Sequence, residues 1–132
     1  MRPDKRGFTL IEILIVVVII GILASIVVPK FANGKERAMI AAMKSDLHNL
    51  MTAQEAFYSN GLQYYNGPIP DPSLTFLYSP SQRVTVTLQN VSGGGWAATA
   101  SYAGTPRTCA IFVGTGGPLA PATVEGAPEC TP

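Results

Sequence analysis

An almost unbroken apolar segment begins at Phe8 and ends at Val28. As a helix, its 21 residues are roughly 31 Å long, which is enough to cross the hydrocarbon core of a bilayer. Between Ile13 and Val28, only Gly21 and Ser25 interrupt a series of isoleucine, leucine, valine and alanine side chains. The segment therefore predicts a membrane-spanning helix.

One carboxylate, that of Glu12, lies near the start of this apolar segment. An acidic side chain at depth in a bilayer costs on the order of 2–4 kcal/mol, so Glu12 needs a partner that offsets the cost. Glu12 is therefore the first candidate functional residue. Arg2, Lys5 and Arg6 precede the segment, and the positive-inside rule places them in the cytoplasm, with the chain after Pro29 on the other side.

Residues 5–12, with the sequence KRGFTLIE, resemble the processing site of the type IV pilin family. The resemblance rests on the basic leader, on Gly7 and Phe8 at the cleavage point, on Glu12 five residues beyond it, and on the apolar helix that follows. It implies cleavage by a prepilin peptidase between Gly7 and Phe8, and N-methylation of Phe8. It also implies that an inner-membrane assembly platform takes this precursor from the lipid bilayer into a homo-oligomeric helical filament.

An ordinary secretory signal peptide or signal anchor is the alternative interpretation. The basic residues before Gly7 do supply a positively charged start. However, the apolar segment is longer than the usual ~7–15 residues, and no small-x-small cleavage site closes it before Pro29. The carboxylate of Glu12 would also weaken such a signal.

Composition limits the chain to one modest soluble domain after the apolar segment. The chain has 132 residues, with 9 basic and 8 acidic side chains. Removal of the leader, residues 1–7, leaves six basic and seven acidic side chains. A mature chain with a charge near −1 has no basic field, so nucleic acid is not indicated as a partner.

The remainder predicts an α+β fold, in which a long N-terminal helix packs on a small antiparallel sheet of three to four strands. The expected organisation is a leader at 1–7, a membrane and filament-core helix at 8–29, and a soluble head at 30–132. Within the head we expect a helix at 30–60, a loop at 61–82, a sheet at 83–113 and a C-terminal loop at 114–132. Pro29 is expected to bend the helix between its two halves, because its ring removes a hydrogen bond.

The second half of the helix is amphipathic from Ile40 onward. Its apolar positions recur every three or four residues, with Gln54 as the one polar member: Ile40, Met43, Leu47, Leu50 and Phe57.

The loop at 61–82 contains four prolines and four aromatics, Tyr64, Tyr65, Phe76 and Tyr78, which either finish the core or form a subunit contact. The sequence then predicts three strands, with Trp96 in the core: residues 83–90 alternate with period two, residues 96–102 are rich in small side chains, and residues 107–113 end in a continuous apolar run.

Cys109 and Cys130 are the only two cysteines, and both lie in the last quarter of the chain. An even number of cysteines in an exported domain favours a disulfide. The bridge would close a loop of 22 residues and contribute roughly 3 kcal/mol. It resembles the C-terminal loop disulfide of many type IV pilins.

Catalytic and metal-binding patterns are poor, so we expect no enzyme, no cofactor and no metal site. Ser45, Asp46 and His48 are three residue types of a catalytic triad, but they do not share one helix face, and a solvated helix surface is the simpler interpretation. No cluster of histidine and cysteine at zinc spacing and no phosphate-binding loop occurs.

Assembly is therefore the expected function, with Phe8 and Glu12 as assembly residues. After cleavage, the new α-amine of an incoming Phe8 would pair with a neighbour's Glu12. Gly21 and Pro29 bracket a segment that is expected to unwind in the filament. The expected product is an extracellular pilus on the cell surface, with surface attachment, motility or DNA uptake as roles.

Two alternatives remain open. One is a pseudopilin of a type II secretion or competence filament, although such subunits commonly carry a calcium site in the C-terminal loop rather than a disulfide. The other is a membrane-anchored minor or tip binding module, which often lacks a glutamate at the position of Glu12.

Overall fold

The computed structural model describes residues 7–132, without the side chains of Pro29 and Ala32. Most of the expected leader therefore lies outside the described residues. One helix, α1, spans Leu10–Gly61. Four strands follow: β1 at Val84–Ser92, β2 at Gly95–Tyr102, β3 at Thr108–Gly114 and β4 at Glu129–Cys130. The predicted α+β fold is confirmed.

The chain divides into two compact units, one up to Lys35 and the other from Glu36 to Pro132. In the first unit, the sixteen large apolar side chains from Phe8 to Val28 are all at least 44% exposed. Burial of each such side chain is favourable by about 1.5–3 kcal/mol relative to exposure, so water is an unfavourable environment for this surface. The helix is long and apolar enough to cross a membrane by its length and composition.

The second unit is a four-stranded antiparallel sheet in the order β1-β2-β3-β4, packed on the C-terminal part of α1. Val84 pairs with Tyr102 across β1 and β2, and Trp96 pairs with Val113 across β2 and β3. Within this core, α1 contributes the buried side chains of Met43, Leu47 and Leu50, which pack with the buried face of the sheet, including Trp96 and Ile111. The apolar series predicted for the helix is therefore the face that forms the core.

Gln54 lies in that apolar face and is fully buried. Its side-chain amide bonds both backbone groups of Tyr65: Nε2 donates to the Tyr65 carbonyl at 3.0 Å, and Oε1 accepts from the Tyr65 N–H at 2.9 Å. A buried amide requires such partners, because an unpaired polar group in the core is costly. The polar residue in the apolar series therefore fixes the loop that follows α1.

The aromatic residues of the loop mostly complete the core. Phe76 and Tyr78 are buried, and Phe76 stacks on Tyr65 with ring centroids 4.4 Å apart. The Tyr78 hydroxyl donates to the Asp46 carbonyl at 2.9 Å, and burial raises the pKa of this phenol. Of the two roles expected for these aromatics, the packing role is the one that the head displays.

The prediction of a solvated helix surface at residues 45–48 is wrong for Asp46. His48 is exposed, but Asp46 is only 2% exposed. Its two carboxylate oxygens accept hydrogen bonds from the backbone N–H and the hydroxyl of Ser81, both at 2.9 Å. The prediction failed because the partner that allows this carboxylate to be buried lies 35 residues away in the sequence.

Candidate functional site

The expected assembly residues lie at the first turn of α1. Thr9 is the N-cap, because its carbonyl accepts the first helical hydrogen bond, from the N–H of Ile13 at 3.4 Å. Phe8 precedes the helix, and its side chain is 85% exposed. Phe8 and Glu12 are thus four residues apart on a helix terminus whose unpaired N–H groups favour a negative charge.

The Glu12 carboxylate has a partner within its own chain. Its Oε2 accepts hydrogen bonds from the Thr9 backbone N–H at 2.7 Å and from the Thr9 hydroxyl at 2.8 Å. The Thr9 hydroxyl oxygen in turn accepts the N–H of Glu12 at 3.3 Å. This reciprocal arrangement is a capping box, in which a threonine and a glutamate three positions later satisfy each other's backbone groups.

The capping box lowers the cost of a carboxylate in an apolar segment without neutralising its charge. Glu12 therefore remains able to attract a cation such as a terminal amine. Sequence reasoning identified Glu12 but missed Thr9, although the Thr-x-x-Glu spacing at residues 9–12 was a sufficient signal. Thr9 and Glu12 thus form a hydrogen-bonded pair at the start of α1.

A groove of about 440 Å³ lies beside this pair on the helix surface. It is lined by the apolar side chains of Phe8, Leu10, Ile13, Leu14 and Val17, together with Thr9. Such a surface accepts another apolar side chain or helix more readily than a polar ligand. The first turn therefore combines a negative group with an exposed apolar surface.

Gly21 and Pro29 both lie inside α1, whose backbone is helical from Leu10 to Gly61. A Cβ added at Gly21 would meet no atom within 4 Å. Between the two residues, the Ser25 hydroxyl donates to the Ile22 carbonyl at 2.7 Å, a local bond that competes with the helical ladder. The expected unwinding in a filament remains a prediction.

The C-terminal loop is fixed by a disulfide between Cys109 in β3 and Cys130 in β4. Cys109 and Cys130 face each other in the β3–β4 register, where the two short segments pair. Thr123 strengthens the loop, because its N–H and hydroxyl both donate to Glu129, and these bonds lower the pKa of Glu129. Among residues 7–132, no group of three metal-ligating side chains occurs.

A second carboxylate, Asp71, organises the loop after α1. It is 5% exposed and accepts five hydrogen bonds, from the backbone N–H groups of Ser73, Thr75 and Phe76 and from the hydroxyls of Ser73 and Thr75. These bonds hold the pKa of Asp71 far below its usual range. The loop thereby presents Leu74 and Leu77 outward, 74% and 85% exposed, and Leu74 has a φ of 57°.

Comparison with known proteins finds a family model and several similar proteins. Residues 2–28 match the family model of the prokaryotic N-terminal methylation motif. The chain is 48% identical to the type IV major pilin protein PilA of Myxococcus xanthus over 63 residues, which are 48% of this chain and 29% of that protein. It is 41% identical to the type IV major fimbrial protein FimA of Dichelobacter nodosus over 61 residues, 46% of this chain and 39% of that protein.

A secretion-system protein is similar to a comparable degree. The type II secretion system core protein G of Klebsiella michiganensis is 41% identical over 63 residues, 48% of this chain and 44% of that protein. The matches with these three relatives thus span less than half of each relative's length.

Proposed function

We propose that this chain, whose residues 2–28 match the N-terminal methylation motif, is a structural subunit of a type IV pilus. In this proposal the precursor sits in the inner membrane through α1. A prepilin peptidase cuts between Gly7 and Phe8, and Phe8 is N-methylated. An assembly platform then moves the subunit into a homo-oligomeric filament on the cell surface.

One observation supports the proposal most: an uncovered apolar helix surface that begins with a capped carboxylate. The sixteen exposed apolar side chains of residues 8–28 require either lipid or other helices around them. A filament core supplies other helices, since identical subunits bury this surface against one another. The Glu12 carboxylate, already placed at the helix start by Thr9, is the only acid in that surface and would bind the new amine of an incoming Phe8.

Charge explains why this pair would set the register rather than provide most of the stability. A buried ion pair gains little over its desolvation cost, but it disfavours every alignment that leaves one charge unpaired. The apolar contacts supply the free energy, and they are similar for many axial positions of the helix. The amine and the carboxylate therefore select one position.

The head supplies a second surface that fits this role. Leu74 and Leu77 are two of the four large apolar side chains of residues 36–132 that are more than half exposed. The Asp71 hydrogen bonds hold them outward on a loop with a left-handed residue. Exposed apolar side chains on a rigid support are typical of interaction surfaces, and in a filament a neighbouring head would cover them.

A pseudopilin of a secretion filament is the second candidate, because the type II secretion core protein G is similar as well. The Cys109–Cys130 disulfide in the C-terminal loop favours the pilus, because such pseudopilins commonly carry a calcium site in this loop rather than a disulfide. Shearing surface filaments from the cells and identifying their main protein by mass spectrometry tests the proposal. We expect a chain that starts at methylated Phe8, and loss of the filaments when the gene is deleted.

A matched variant sharpens that experiment. Replacing Gly7 by a bulky residue should block cleavage, so that only the longer precursor accumulates in the membrane. Filaments that still contain Met1 would contradict the processing step. Intact surface filaments combined with lost secretion in the deletion strain would favour the second candidate.

A further inference from the structure

A small polar cleft lies on the surface of the head. It has a volume of about 200 Å³ and is formed by the loop after α1 and by the β1–β2 turn. Its lining contains one aromatic ring, two amides and a hydroxyl but no charged side chain: Gln63, Tyr64, Asn66, Val91, Ser92 and Gly93. Clefts that bind drug-sized ligands occupy roughly 300–1,000 Å³, so this cleft suits one ring-sized group.

The aromatic wall of the cleft is held in place from behind. Tyr64 is half-buried and stacks on Tyr58, with ring centroids 4.6 Å apart and an interplanar angle of 27°. Its hydroxyl donates to Glu55 at 3.2 Å. Burial and the neighbouring Glu55 carboxylate raise the pKa of Tyr64, so the phenol stays neutral. A ring fixed in this way offers a ligand an apolar face with little loss of side-chain entropy.

The polar groups of the cleft are available to a ligand. Gln63 and Asn66 are exposed, and within residues 7–132 neither side-chain amide makes a hydrogen bond to another protein group. Each amide has two donors and one acceptor oxygen, so it matches groups that both donate and accept. The two segments that carry the cleft are anchored, because Gln54 holds the backbone of Tyr65 and the Ser92 hydroxyl bonds Thr115 at 2.7 Å.

These features identify the class of ligand. An apolar face and free amides complement a molecule that has both C–H faces and several hydroxyls, which is the chemistry of a sugar ring. Tyrosine, serine, glycine and amide side chains are also the residues that antibody combining sites use for such mixed surfaces. Glu55 beside the tyrosine hydroxyl disfavours an anionic ligand.

We propose that this cleft binds a neutral saccharide, with one sugar ring on Tyr64 and its hydroxyls on Gln63 and Asn66. Binding at a single cleft of this size should be weak, with a Kd of about 1 mM. The proposal concerns the isolated subunit and does not depend on filament formation. If the chain does form a filament, repeated clefts along it would bind a polysaccharide far more tightly than one cleft does.

Gly93 provides a selective test, because it lines the cleft and a Cβ placed there would meet no atom within 4 Å. Its φ is not in the left-handed region, so Gly93→Leu should fold and obstruct the cleft. The matched control is Asn49→Ala, which removes an exposed amide from the polar face of α1. Trp96 fluorescence reports whether the head is folded in each variant, since Trp96 is its only tryptophan and fully buried.

The measurement is saturation-transfer NMR on the full chain in a detergent without a sugar headgroup. The probes are the neutral disaccharides maltose and N,N′-diacetylchitobiose and the anionic trisaccharide 3′-sialyllactose. We expect saturation of at least one neutral probe, no change in Asn49→Ala, and about a tenfold loss in Gly93→Leu and in the double variant Gln63→Ala, Asn66→Ala. Lack of binding by both neutral probes, stronger binding of the anionic probe, or undiminished binding by folded Gly93→Leu would overturn the proposal.

Discussion

The guanidinium of Arg107, just before β3, donates its Nε–H to the Glu36 carboxylate of α1. The same guanidinium donates from Nη1 to the Thr131 carbonyl at 3.0 Å. Arg107 thus connects the helix, the sheet and the C-terminal residues of the head. Both side chains of the ion pair are partly exposed, 30% for one and 40% for the other, so solvent screens their attraction.

This geometry predicts unequal effects for the two partners. Glu36→Gln should lower the free energy of unfolding of the head by about 0.5 kcal/mol, because it removes only a screened ion pair. Arg107→Ala should cost about 1–2 kcal/mol, because it also leaves the Thr131 carbonyl without its donor. Urea unfolding followed by Trp96 fluorescence measures both. Equal losses for the two variants would mean that the bond to Thr131 contributes nothing.

The capping box predicts how Glu12 and Thr9 act in assembly. Glu12→Val should leave cleavage, membrane insertion and folding of the head intact, yet filament yield should fall sharply, since an incoming amine would meet no carboxylate. Thr9→Val should reduce yield less, because the Thr9 backbone N–H still holds Glu12. Thr9→Ser keeps the hydroxyl and is the control. Normal filament yield from cells that express only Glu12→Val would exclude this carboxylate as the assembly contact.

We predict that residues 22–28 unwind when helices pack in a filament. The Ser25 hydroxyl already competes for the Ile22 carbonyl, and Pro29 has no N–H to donate. Gly21→Ala strengthens the helix by about 1 kcal/mol without a clash and should therefore hinder unwinding and lower filament yield. A filament map from electron cryomicroscopy measures the segment directly. Unbroken helix from Phe8 through Asn60 in that map would contradict the prediction.

The disulfide should carry much of the stability of the C-terminal loop. Replacing both Cys109 and Cys130 by alanine should cost about 2–5 kcal/mol and make residues 114–129 sensitive to proteases. Limited proteolysis and thermal unfolding of the full chain measure the two effects. Alkylation of the wild-type protein without reduction is the control, and it should label neither thiol.

The lowered pKa of Asp71 predicts that the head loses stability in acid. Its folded pKa is lowered, so its contribution is present above the unfolded value near ~3.9 and is lost as the pH falls toward the folded value. Asp71→Asn keeps the shape but loses acceptor capacity, so it should melt at a lower temperature than wild type at pH 7. That difference should shrink as the pH falls below about 4. A difference that stays constant down to pH 2 would show that the charge is not involved.

Glu129 provides the comparison for this pH dependence. The bonds from Thr123 lower the pKa of Glu129 as well, so its stabilising contribution is also lost as the pH falls. Glu129→Gln and Asp71→Asn should therefore each remove part of the acid sensitivity of the head. The two sites share no hydrogen-bond partner, so their effects should add.

The elements that could be predicted from the sequence are those with local signals. The apolar segment from Phe8 to Val28 and the processing motif before it are contiguous patterns, and they predict the membrane helix. The three- and four-residue spacing of Met43, Leu47 and Leu50 predicts the buried helix face. Alternation predicts β1, and small or continuously apolar segments between turns predict β2 and β3, in each case to within two residues. Such patterns need no knowledge of distant residues, because each element's own backbone geometry sets the period.

Which polar groups are buried, and what each of them binds, depends on contacts between distant parts of the chain. Asp46 and Ser81 are 35 residues apart, and Gln54 and Tyr65 are separated by a loop, yet each pair closes hydrogen bonds that allow burial. The short strand β4 exists because the loop returns to β3, where Cys130 faces Cys109. From the sequence, a carboxylate or an amide is predicted to be exposed. Its burial depends on hydrogen-bond partners that only folding brings to within about 3 Å.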